Sequence, residues 1–166
     1  MRRRDLLLAA ASLPALGVAG CAGGAAEAGE PGMAAAFLYG FPVYEFVRTQ
    51  QLRTGPSAGA AGAGLNQVAH RTGLADHTSR QVTSPNKDTL YSSAFLELSG
   101  GPVEVTAPTD ASRYWSIAFM DAFTDNFAYV GTRATRGEGG RFWAVGPQWR
   151  GAAPAGVRLL RSTTND

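Results

Sequence analysis

One cysteine, one lysine and two histidines are all that 166 residues supply of three chemically versatile side chains. With Cys21 alone, no internal disulfide can form, so a small stapled scaffold is excluded. A zinc site wants three or four ligands. His70 and His77 lie seven residues apart with Asp76 beside the second, and no further cysteine or histidine completes a set, so no metal is expected. Two motifs are missing as well. No G-x-G-x-x-G turn opens a helix after a strand, which disfavours a dinucleotide fold. No G-x-S-x-G elbow presents a serine nucleophile.

Positive charge is also scarce beyond the first residues. The formal net charge is +2, but residues 1–20 hold Arg2, Arg3, Arg4 and Asp5, and twelve basic and twelve acidic residues remain after them. A near-neutral chain with no Lys/Arg run has no electrostatic footprint for nucleic acid, and none is expected as a partner. Nor is there a long greasy segment at the start. The apolar stretch Leu6–Val18 has 13 residues, short of the roughly 20 that cross a bilayer.

That stretch is informative in its order. Arg2 to Arg4 precede it, and the small residues Ala19 and Gly20 follow it, directly before Cys21. Positive, apolar, small is the order of a secretory signal. Arg3-Arg4-Asp5-Leu6-Leu7 resembles a twin-arginine export motif. "VAGC", Val18 to Cys21, resembles a bacterial lipobox, whose cysteine becomes the lipidated first residue of the mature protein. The plainer alternative is a lone unpaired thiol. Lipidation would make the membrane a partner through Cys21, since two acyl chains suffice for stable anchoring. The expectation is an exported envelope lipoprotein, periplasmic or at the cell surface.

Residues 21–31, small and Gly/Ala-rich, read as a tether between lipid and domain. From Met33 to about Arg53 the pattern turns helical. Phe37, Leu38, Phe41, Tyr44 and Val47 make one stripe at 3.6 periodicity, the face expected to be buried. Pro42, with Gly40 before it, predicts a kink near 38–42 or two short helices. Residues 54–64 are a low-complexity loop, and a short helix is expected near Leu65–His70. From Thr89 the pattern alternates. Thr89–Leu98, Val103–Ala107, Tyr114–Asp121, Phe127–Thr132, Phe142–Val145 and Val157–Leu160 read as strands separated by turn clusters. With 21 glycines, tight turns prevail over long helices. The fold class expected is mainly β with an N-terminal helical segment, sandwich or jelly-roll-like. The organisation reads as a signal over 1–20, a tether over 21–31, a helical segment and loop over 32–82, and a β-sandwich over 83–166. "RSTTND" follows the last strand with no closing element, which predicts an incomplete chain.

"FLYGFPVYEFVRTQ", "SPNKDTLYSSAFLELSGGPVEV", "RYWSIAFMDAFTDNFAYVGTRATRGEGGRFWAVGPQW" and the final "STTND" occur in order, and together they resemble the bacterial family called domain of unknown function 1254, from about Ala34 to Asp166. The resemblance implies a helical segment followed by a jelly-roll-like β domain. It further implies continuation into a second β-rich domain, the companion family 1214, as a partner missing here. It implies no settled activity and leaves any cofactor unknown. Lys87 and Glu97 depart from the family's pattern, as does the Ala/Gly loop before Leu65.

"PNKD", Pro85 to Asp88, stands in front of the alternating run and has two readings. Asn and Asp bond nearby amides, which makes a turn, with Asp88 reaching Leu90 or Tyr91. Alternatively Asn86, Asp88 and Tyr91 face a cleft at one rim of the sandwich. His70 and Asp121 complete this candidate pocket. Asp121, Asp125 and Asn126 form either a plain turn or a calcium site whose spacing is not that of a helical calcium loop. Trp115, Trp143 and Trp149 with Tyr114 and Phe142 either fill the core or present a platform for sugars. Two functions follow: a β domain that binds a small molecule, glycan or partner protein, or a hydrolase-type enzyme using the rim residues.

Overall fold

A computed structural model describes residues 32–56, 62–80 and 82–166. Residues 1–31, read from the sequence as signal and tether and including Arg3, Arg4 and Cys21, lie outside the described residues. A boundary between two units falls after Ala36, and the second unit is Phe37–Asp166. The architecture there is β-rich behind one N-terminal helix, as the alternation and turn spacing imply.

Helix α1 is Met33–Thr54, and it runs through Pro42 without interruption. A proline removes one i→i−4 bond, and here the remaining ladder carries the helix across the gap. Gly55 donates to the Gln51 carbonyl at 2.9 Å, and Pro56 follows, where a helix cannot easily continue. The buried face is not the one the apolar stripe indicates. Phe37, Leu38, Phe41, Tyr44 and Val47 are all exposed, and no residue of α1 is buried. Instead the helix touches the β body along a different face: Tyr39 meets Phe123 with ring centroids 5.7 Å apart, Phe46 meets Phe95 at 5.6 Å, and Gln50 bonds Asp166 at 3.2 Å.

The strands are β1 (Ala69–His70), β2 (Ser92–Ser93), β3 (Val103–Ala107), β4 (Ser116–Met120), β5 (Asn126–Gly131), β6 (Gly140–Val145) and β7 (Val157–Arg161). They form three sheets, β1-β2, β3-β6-β7 and β4-β5, and none closes into a barrel. Pairing is antiparallel except between β6 and β7, which run parallel. A parallel pair needs a crossover, and here residues 146–156 supply it. Arg161 Nη1 holds that crossover down by donating to the carbonyls of Gly146 and Trp149 at 3.2 and 2.8 Å.

The core lies between the larger sheet and the β4-β5 pair. Ala107 and Phe142 from one, and Phe119 and Val130 from the other, form its buried centre, with Val105, Trp115, Ile117, Phe127 and Leu160 packed around them. Alternation places Val105 with Ala107 and Ile117 with Phe119 inward on their strands, and the register shift opposite Phe119/Met120 lets Phe127 join Val130 on the inner side of β5. Each large side chain so buried contributes about 1.5–3 kcal/mol. Gly131 ends β5 at φ 144°, and a Cβ there would collide with the Trp115 carbonyl. Thr132 uses that close approach, donating to Trp115 O at 3.0 Å while its Oγ1 accepts from Trp115 N at 3.0 Å.

Two expectations fail locally. No helix forms at Leu65–His70, where turns lead into β1. Of Thr89–Leu98 only Ser92–Ser93 joins a ladder. The rest of that run finds non-ladder partners. Asn66, at φ 60°, donates from its backbone N–H to Phe95 O at 2.8 Å, and its side-chain Oδ1 accepts from Glu97 N at 2.8 Å. Leu98 N donates to Asn165 O at 2.8 Å. A side chain thus takes the place of a neighbouring strand.

Candidate functional site

Three polar clusters hold the residues with chemical potential. The first is the "PNKD" turn and the small β1-β2 ladder. Asn86 Oδ1 accepts from Asp88 N at 2.8 Å, so Asn86, rather than Asp88, closes the turn. The register pairs His70 with Ser92, and His70 Nδ1 lies 2.8 Å from Ser92 Oγ. Arg71 N donates to Tyr91 O at 2.9 Å. His70 and Ser92 therefore pair on one exposed ladder, and Tyr91 lies just before it. Ala69 and Ser93, the alternate residues, help line a shallow open depression with Arg53, Gln67 and Phe95. None of His70, Asn86, Asp88, Tyr91 and Asp121 is among its lining residues.

The second cluster surrounds Asp121, buried at 3% exposure. Its Oδ1 accepts from Phe123 N at 2.9 Å and from Asp125 N at 3.0 Å, and its Oδ2 accepts from the Thr163 hydroxyl. Thr164 Oγ1 accepts from Ala122 N at 3.0 Å. The β4–β5 turn is thereby sewn to the "STTND" segment. With both carboxylate oxygens committed to protein donors, this geometry gives no support to a calcium ion at Asp121, Asp125 and Asn126. Among the described residues, no group of three or more His, Cys, Asp or Glu gathers as a metal site.

The third cluster lies on the face of the large sheet turned away from the core. Glu104 and Trp143 are cross-strand partners, as are Thr106 and Arg141. Arg141 Nε and Nη2 donate to the two Glu104 oxygens at 3.0 and 2.8 Å, and Trp143 Nε1 donates to the same carboxylate at 3.0 Å. The Arg141 bond and then the Trp143 bond hold the Glu104 carboxyl below the usual glutamate range, and Arg141 is raised in return. Trp149 from the crossover meets Trp143 edge-on at 6.1 Å. Trp115 and Phe142 belong to the core instead, and the Trp115 indole donates to Asp110 O at 2.7 Å. Glu104 and Arg141 were invisible as a site in the sequence, because only strand register brings them together.

The family model described as "Protein of unknown function (DUF1254)" matches residues 65–166. The chain belongs to this family. A solved structure similar to this DUF1254 chain is that of the VPA0106 protein from Vibrio parahaemolyticus, at TM-score 0.59 and 27% identity, covering 78% of this chain and 29% of that one. The DUF1254 chain thus spans less than a third of that protein's length. No curated protein matches it.

Proposed function

We propose that this DUF1254 protein is exported and held in the cell envelope by acyl chains on Cys21, where its β body binds a small molecule, glycan or partner protein. The observation that carries the reading is the order at the N-terminus: arginines, thirteen apolar residues, two small residues and the sole cysteine. Support for a binding surface comes from the Trp143–Trp149 pair beside the Glu104–Arg141 fork, which offers aromatic faces and directional polar groups together. The test is retention after alkaline carbonate washing. The native protein stays with the membrane, and Cys21→Ser is stripped from it. Equal stripping of both would refute the anchor.

A hydrolase is the second reading, and one observation favours it: the Ser92 hydroxyl lies within hydrogen-bond reach of His70 Nδ1. In that role Ser92 Oγ attacks an ester carbonyl as His70 takes its proton. The ester C–O bond breaks as that proton passes to the leaving alcohol, and water then releases the acid from Ser92. Turnover on an ester panel that disappears in Ser92→Ala is expected. A silent panel sinks the reading.

A further inference from the structure

Helix α1 carries an apolar face that stays exposed among the described residues. Phe37, Phe41 and Tyr44 follow one another at i, i+4 and i+7 and are 62%, 44% and 62% exposed, with the two phenylalanine rings 5.5 Å apart. They point away from the side that Phe46 and Gln50 turn toward the body. Met33 to Tyr44 contains no charged residue, and the first charges on the helix are Glu45 and Arg48, paired at 3.0 Å. An exposed aromatic face of this kind on a protein in water calls for an occupant.

We infer that this occupant is the lipid surface itself: the first three turns of α1 lie in the headgroup region, with Phe37, Phe41 and Tyr44 dipping toward the acyl chains. The inference rests on the lipid-anchor reading and deepens it. Cys21 is twelve residues before Met33, so even a fully extended chain keeps the start of α1 within about 40 Å of the anchored sulfur. Aromatic rings with an apolar body favour the membrane interface. No helix among the described residues is long and apolar enough to cross a membrane, so α1 lies on the bilayer rather than spanning it. Arg48, one turn beyond Tyr44 on the same face, is placed to reach lipid phosphates.

A nitroxide probe tests this, because acylation of Cys21 leaves an introduced cysteine as the sole free thiol. The full-length protein carrying Phe41→Cys, labelled and reconstituted into phosphatidylcholine/phosphatidylglycerol vesicles, is compared with Ala134→Cys in the exposed β5–β6 turn. The label at 41 is expected to be accessible to lipid-soluble oxygen and shielded from an aqueous relaxant, and the label at 134 to be the reverse. Equal aqueous accessibility at both sites overturns the inference even where Cys21 is acylated. So does shielding of 41 that persists without vesicles, which would assign the face to a second copy or another protein. A separate arm removes the anchor. Full-length Cys21→Ser is expected to bind the same vesicles, and Phe37→Glu/Phe41→Glu in that background to lose at least ~10-fold in partitioning, with an unchanged circular dichroism spectrum. Undiminished partitioning overturns the inference. Failure of acylation at Cys21 would instead remove the anchor reading and leave this arm to judge the helix.

Discussion

A buried carboxylate is tolerated only where hydrogen-bond donors replace the water it leaves. Asp121 meets that condition with the amides of Phe123 and Asp125 and the Thr163 hydroxyl. Asp121→Ala removes the acceptor from two amides at once and should cost about 2–3 kcal/mol, with Asp121→Asn costing less because one oxygen remains. Urea melts of the two variants check this. Glu104 makes a different prediction. Its carboxyl is held below its usual value in the folded protein by Arg141 first and Trp143 second. The associated stabilisation is therefore complete above the ordinary glutamate range, about pH 4.3, and fades as pH falls through the depressed folded value. In Arg141→Ala the Glu104 titration followed by NMR should move up toward that ordinary range. An unperturbed Glu104 in the native protein would show that the fork is open in solution.

At the scale of elements, local pattern and tertiary choice separate cleanly. Val103–Ala107 has the bounds the alternation implies, and β4 to β7 lie within a few residues of expectation, because alternating side chains and flanking turn residues are local signals. The Thr89–Leu98 run alternates equally well and yet forms no long strand. Its partners, the Asn66 side chain and Asn165, are distant in sequence. For α1, periodicity identifies an apolar face but says nothing about which face a neighbour will cover. The candidate site was legible in part for the same reason. "PNKD" is a turn, as its residues imply, but the meeting of His70 with Ser92 and of Glu104 with Arg141 depends on register across 22 and 37 residues. One element-level test is Gly131→Ala. The substituted residue must hold φ near 144° and press a methyl on the Trp115 carbonyl, so a loss of about 2–3 kcal/mol is expected. A calorimetric melting temperature within a degree or two of the native value, roughly, would contradict the tight β4-β5 closure.

For the whole molecule, the sequence reads as leader, tether, helix and two-layer β body, and the functional claim depends on the first of these. A sole cysteine behind a 13-residue apolar stretch is either given to lipid or left idle. Intact-mass and peptide mass spectrometry of the protein purified from its native membrane distinguishes the two. The account predicts a mature polypeptide that begins at Cys21 and carries acyl chains on that residue. A chain that retains Met1 and an unmodified Cys21 would contradict it.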